Sequence, residues 1–138
     1  MKCNRDIREI HIHCTATKEG IDFNVKDIDR WHKENGWDEC GYHYVIKLDG
    51  TIEKGRDINK IPASIKGRNK HAVAIVYVGG LDKDGCPMDT RTNKQKVSMW
   101  LLVDRLRKRF GSIPVYGHNE FANKDCPCFD VKKEFEII

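Results

Sequence analysis

No stretch of this 138-residue chain approaches the roughly 18 consecutive apolar residues of a membrane helix. The opening segment, MKCNRDIREIHIHC, also lacks an apolar run long enough for the core of a signal peptide. The expectation is a protein made in a cytoplasm and kept there unless something else releases it. Internal repeats, low-complexity tracts and linkers are absent, so neither a repeat array nor a string of modules is expected. No CxxC pair occurs among the six cysteines, and the one close pair is Cys126-Pro-Cys128. A zinc-ribbon nucleic-acid binder therefore fits poorly. Charge of one sign does not dominate either: 25 basic and 21 acidic side chains give a net +4. That mild basic balance would suit a polyanionic partner, but plain solubility is the simpler reading.

The rest of the composition is that of an ordinary globular domain, with 39% hydrophobic and 33% charged residues. A chain this long buries about 68% of the surface its unfolded form exposes, so one domain can fold without disulfide staples. The cysteines then read as thiols, core residues or metal ligands.

Hydrophobic periodicity gives the elements. Ile10, Ile12 and Cys14 alternate with Glu9, His11 and His13, which predicts a strand with both histidines on its polar face. A helix is expected over 25–35, capped by Asn24, with Asp27 in its first turn and Val25, Ile28 and Trp31 as its apolar stripe. Gly36 would end it. Asp49-Gly50 lies between two β-rich runs and predicts an antiparallel hairpin of 42–48 with 51–54. The run 71–80 is apolar on both faces, as a central strand would be, and 81–91 reads as an exposed loop. Thr92 and Gln95 match a capping box for a long helix over 93–110, whose buried face is Met99, Leu102, Val103, Leu106 and Phe110. Its basic end (Arg105, Arg107, Lys108, Arg109) reads as a solvated face with cations at a helix C-terminus rather than a nucleic-acid surface. A last strand is expected at 113–118, and a short helix from Asp130. Interleaved strands and helices predict an α/β domain with a mixed central sheet flanked by helices.

Candidate ligands for zinc are His11 and His13 on the strand face, His118 at a strand end, and Cys126 and Cys128 in a loop. A catalytic zinc takes three such ligands and keeps a fourth position open. By spacing alone the signal is weak, and His11 and Cys128 compete with their neighbours.

The wording of the sequence says more. HCTATK (13–18), WHKENGW (31–37), GYHYVIKLDGTIEKGRD (41–57), YVGGLD (77–82) and GHNEFANKDCPCFD (117–130) occur in that order. Together they resemble the zinc-dependent N-acetylmuramoyl-L-alanine amidase family of the T-odd phage lysozymes, whose wider relatives are cytosolic muropeptide amidases and peptidoglycan recognition proteins. The resemblance runs from about Ile10 to Phe129 and implies a single zinc amidase domain over the chain. It implies His13, His118 and Cys126 as ligands of one Zn2+, and Tyr42 and Lys124 as catalytic residues. Cys128 stands where the family commonly has a small residue, so it reads as a plain thiol. His11 reads as an exposed or groove-lining histidine, with support or mimicry of a ligand as the alternative; His32 and His43 read as packing or surface hydrogen-bonding residues, Cys14 as core, and Tyr44, on the same strand face as Tyr42, as core or groove wall.

The substrate implied is peptidoglycan or muropeptide, cut between the lactyl group of N-acetylmuramic acid and L-alanine. Zinc would polarise that carbonyl and acidify water. Lys124 would stabilise the oxyanion, and Tyr42 would orient the water or exchange a proton with it. A phage or prophage lysin is the expected setting. A cytosolic muropeptide-recycling amidase and a muropeptide-binding module without activity are the alternatives. Neither nucleic acid nor membrane is an expected partner. One phage relative also restrains its phage's RNA polymerase, but no motif here encodes that binding. The chain departs from the phage enzymes at Ser64, where they tend to carry a histidine associated with the substrate groove.

Overall fold

The computed structural model describes residues 3–136. Its centre is a five-stranded sheet, and the first strand, β1 (Glu9–Cys14), lies inside it. A two-residue strand, β2 (Thr17–Lys18), and helix α1 (Val25–Glu34) follow. Asn24 caps α1 reciprocally with Asp27, which satisfies two of the backbone N–H groups a helix start leaves unpaired. Next come β3 (Tyr44–Ile46) and β4 (Ile52–Lys54), which pair antiparallel around the Asp49-Gly50 turn. Gly50 holds a φ of +86° there, a conformation that favours glycine. β5 (Ala72–Tyr77) is buried throughout, as its two-sided apolar pattern requires. The chain continues through β6 (Gly80–Leu81), α2 (Asn93–Phe110), β7 (Val115–Gly117), a 3-10 turn at His118–Glu120, and α3 (Val131–Glu134).

The strand order is β4-β3-β5-β1-β7, with β3, β5, β1 and β7 parallel and β4 antiparallel at the edge. The mixed sheet flanked by helices is thus as expected. On one face Ile10, Ile12, Val73 and Ile75 meet Met99, Leu102, Val103 and Leu106 of α2. On the other, Val45, Val76 and Val78 meet Ile28 of α1. Gln95, wholly buried, caps α2 and also donates to the carbonyls of Ile46 (3.2 Å) and Val78 (3.0 Å), which fixes the helix to the sheet.

The structure departs from the sequence reading in three places. The stretch 81–91 is not wholly an exposed loop, because β6 pairs with β2 in a small parallel sheet and Arg91 is buried. Both pieces are two residues long, too short for any periodicity to register. The strand at 42–48 is shorter than expected. Tyr42 lies ahead of it and packs on the α1 side, whereas Tyr44 packs on the α2 side. The two tyrosines therefore do not share a face. Lastly, the polar face of β1 is not solvated: His11 is 0% and His13 1% exposed.

His43 is a packing residue, held on both sides of its ring. Its Nδ1 accepts from the Ala74 N–H (3.0 Å) and its Nε2 faces the Lys60 carbonyl (2.8 Å), so the neutral ring satisfies both contacts. Burial chiefly, with Arg5 and Arg56 nearby, pushes its pKa down to about 4 against the bond to Lys60. The unfolded chain protonates it near pH 6.5, so between about pH 6.5 and 4 the unfolded state holds more protons. Stability should therefore fall as pH drops through that window, with His43 contributing on the order of 3 kcal/mol. Denaturant unfolding from pH 7 to pH 4 checks this, because His43→Gln should remove that share of the slope.

Candidate metal centre and its cleft

Parallel pairing builds the site. β7 lies beside β1 with Ile12 opposite Gly117, so the residue after each comes to the same edge of the sheet. Those residues are His13 and His118. This is the carboxyl edge of parallel strands, where open α/β sheets gather their ligands. The loop after the 3-10 turn returns Cys126 to the same point. The donor atoms of His13, His118 and Cys126 all lie within 4.8 Å of one another. His13 Nδ1 stands 3.8 Å from the Cys126 sulfur. A tetrahedral ion with bonds of about 2.0 Å to nitrogen and 2.3 Å to sulfur separates such donors by roughly 3.3–3.6 Å. Two imidazoles and a thiol at this spacing fit zinc with small side-chain adjustments.

The electrostatics favour ligand-competent forms. Burial, with His118, His11 and Lys124 nearby, holds the His13 pKa well below the ordinary histidine value. Burial and Lys124 lower that of His118. The Cys126 thiol is lowered, first by a hydrogen bond from the Cys14 thiol, against the effect of burial. The Cys14 N–H also donates to the Cys126 sulfur, at 3.2 Å. Neutral imidazole and thiolate are the forms that bind a metal.

The loop that carries Cys126 is tied down on several sides. The Asn119 N–H donates to the Cys126 carbonyl (2.8 Å), and the buried Tyr77 hydroxyl donates to the Pro127 carbonyl (2.6 Å). The Arg91 guanidinium stacks 3.4 Å from the Phe129 ring and binds both oxygens of Glu134 at 2.7 Å. α3 is thereby clamped behind the loop.

Cys128, the competing thiol, lies outside the donor group. Its φ of +70° is left-handed, and its thiol turns away to the Gly80 carbonyl at 3.2 Å. Burial and Cys14 push that thiol up to about 12.

A cleft of about 610 Å³ has His118, one of the three donors, in its wall, together with Trp37, Tyr42, Ser64, Phe121 and Lys124. That volume is ordinary for a ligand site. Tyr42 is half-buried, with its ring 5.0 Å from that of His13. Burial first, then Cys126, Cys40 and Cys14, raises its phenol pKa, so it keeps its proton at neutral pH. Lys124 is exposed, two residues before Cys126. A second hollow of about 650 Å³ lies behind the loop, shares Lys124 and contains none of the three donors.

One residue stands differently from expectation, and a second does more than expected. His11 is not an exposed or groove-lining residue, since it is fully buried between Glu9 and Ser64. Ser64 lines the cleft as expected, and its hydroxyl also contacts the rings of both His11 and His13. Period-two alternation places His11 on the correct face, but it cannot reveal that the segment around Ser64 covers that face.

A family model for N-acetylmuramoyl-L-alanine amidase matches residues 4–129. The endolysin of Escherichia phage T7 is 39% identical over 127 residues, covering 92% of this chain and 84% of that protein. The endolysin of Klebsiella phage KP32 is 37% identical over 132 residues, covering 96% and 87%. Among solved structures, the N-acetylmuramoyl-L-alanine amidase LysC from Clostridium intestinale superposes with a TM-score of 0.80 at 24% identity, covering 98% of this chain and 89% of that one. Bumblebee PGRP-SA superposes with a TM-score of 0.78 at 24% identity, covering 96% and 81%. At that identity the last two speak to the fold.

Proposed function

The chain belongs to the N-acetylmuramoyl-L-alanine amidase family, and on that premise we propose that it is a zinc enzyme that cuts the lactyl–L-alanine amide of peptidoglycan as a phage or prophage lysin. The observation that carries this reading is the convergence of His13, His118 and Cys126, with His118 in the wall of a cleft that also includes Tyr42 and Lys124.

His13, His118 and Cys126 would hold the ion, and two neutral imidazoles with one thiolate leave the centre a net charge of about +1. Zinc bound there supplies a Lewis acid that polarises the scissile carbonyl and lowers the pKa of water toward about 7. Lys124 presents its ammonium to the oxygen that becomes negative as the carbonyl carbon turns tetrahedral, a contact worth about 3 kcal/mol when one such donor is lost. Tyr42, protonated at its hydroxyl, orients the attacking water by hydrogen bonding. Trp37 and Phe121, both partly exposed on the cleft, offer apolar surface to the substrate.

The lysin setting rests on the phage endolysins, which this chain matches over 84–87% of their length. Among the described residues no helix is long and apolar enough to cross a membrane. The kinship with peptidoglycan recognition proteins favours a second reading, binding without cutting. Cys126 argues for cutting, because it completes the donor set.

Mass spectrometry of the products from purified peptidoglycan is the direct test. Stem peptides with a free alanine amino terminus should be released, release should stop on chelation, and added zinc should restore it. Muropeptides whose lactyl–alanine bond survives zinc-replete enzyme would refute the reading.

A further inference from the structure

A line of polar side chains runs from the surface to His13. Arg68 binds Glu9 through two contacts, Nη2 to Oε1 at 3.0 Å and Nε to Oε2 at 3.3 Å. The second oxygen of Glu9 meets His11 Nε2 at 2.6 Å. His11 Nδ1 meets the Ser64 hydroxyl at 3.1 Å, and that hydroxyl also meets His13 Nε2. The other nitrogen of His13 faces Cys126. Ser64 is itself held, because the Asn69 side-chain oxygen accepts from the backbone N–H groups of Ser64 (3.0 Å) and Ile65 (2.9 Å). Arg68 is held too, stacked 4.1 Å from the Phe121 ring on the cleft wall.

The chemistry of the groups gives this line one direction. A carboxylate only accepts, so His11 must donate from Nε2. With the His11 ring neutral, its Nδ1 is then an acceptor, and a hydroxyl has one proton to give, which goes to that nitrogen. The hydroxyl oxygen is left to accept from His13 Nε2–H. His13 therefore carries its proton on Nε2 and turns the Nδ1 lone pair toward Cys126. With both rings neutral each contact has one donor and one acceptor, and reversing any of them leaves a buried pair without a proton between them.

We propose that Glu9, His11 and Ser64 act as positioning residues that fix the ring and tautomer of His13 for metal binding. This rests on the reading of His13 as a ligand. A ligating histidine usually donates its second N–H to a carboxylate or carbonyl, which orients the ring and raises its basicity. Here the carboxylate acts at a distance, through an imidazole and a hydroxyl.

The test measures metal binding without substrate, because Ser64 also lines the cleft. Zinc affinity is read by competition with a chromophoric chelator, and the coordination by the visible spectrum of the cobalt(II) form. Ser64→Ala should bind zinc roughly 10-fold or more weakly and shift the cobalt spectrum. Ser64→Thr, which keeps the hydroxyl, should restore both. Glu9→Gln keeps an acceptor for His11 but loses the charge, and should show a smaller loss than Ser64→Ala. Thermal melting of the metal-free proteins controls for folding. Should Ser64→Ala fail to fold, Glu9→Gln decides alone. Wild-type affinity and an unshifted spectrum in the folded variants would overturn the proposal. A wild-type protein that takes up neither zinc nor cobalt would overturn the ligand reading, and this inference with it.

Discussion

Cys126→Ala is expected to leave the purified protein without bound zinc and with turnover lower by a thousandfold or more. The size follows from the metal's role. Lewis-acid assistance contributes several kcal/mol to such a hydrolysis, and each ~1.4 kcal/mol is a factor of ten in rate. His118→Ala should behave alike. Cys128→Ala is the matched control. It stands two residues away, yet its thiol turns to the Gly80 carbonyl, so metal content and rate should hold. Elemental analysis of metal content, alongside single-turnover release of stem peptide, separates the three. Full zinc and full rate in Cys126→Ala would show that the ligand assignment is wrong.

The second large effect belongs to Lys124. Lys124→Ala should retain zinc at wild-type stoichiometry while kcat falls about 10²- to 10³-fold, the usual loss for one oxyanion donor. The side chain is exposed, so stability should change by no more than about 0.5 kcal/mol. This separates the two kinds of residue: loss of a ligand removes metal and rate together, whereas loss of Lys124 removes rate alone. A Lys124→Ala variant with wild-type kcat would exclude the oxyanion role.

The parts of the fold that were legible in the sequence are those that local chemistry decides. Asn24 with Asp27, and Thr92 with Gln95, mark helix starts within four residues of chain, and both capping boxes form. Asp49-Gly50 marks a turn in the same local way. Neighbour relations in the sheet are not local. Nothing in IPVYGH says that its strand lies against β1, yet that pairing brings His118 to His13. For the site, family wording singled out the residues that converge, whereas spacing alone left His11 and Cys128 in competition. Ser64 entered only as a departure from the family pattern. Its contact with two imidazoles depends on a fold-back of more than 50 residues, which no periodicity encodes. Tyr42 shows the converse limit: alternation assumes an unbroken strand, and this strand begins only at Tyr44.

His13 and Cys126 are 113 positions apart in the chain. An ion held by both would act as a clasp between distant stretches of polypeptide, and its occupancy would govern how often residues 118–130 swing open. At a free zinc concentration of 100 times Kd, opening that breaks the site becomes costlier by about 2.7 kcal/mol. Deuterium uptake in that segment would then report the surrounding zinc concentration, while amides in β5, at the middle of the sheet, would be far less sensitive to it.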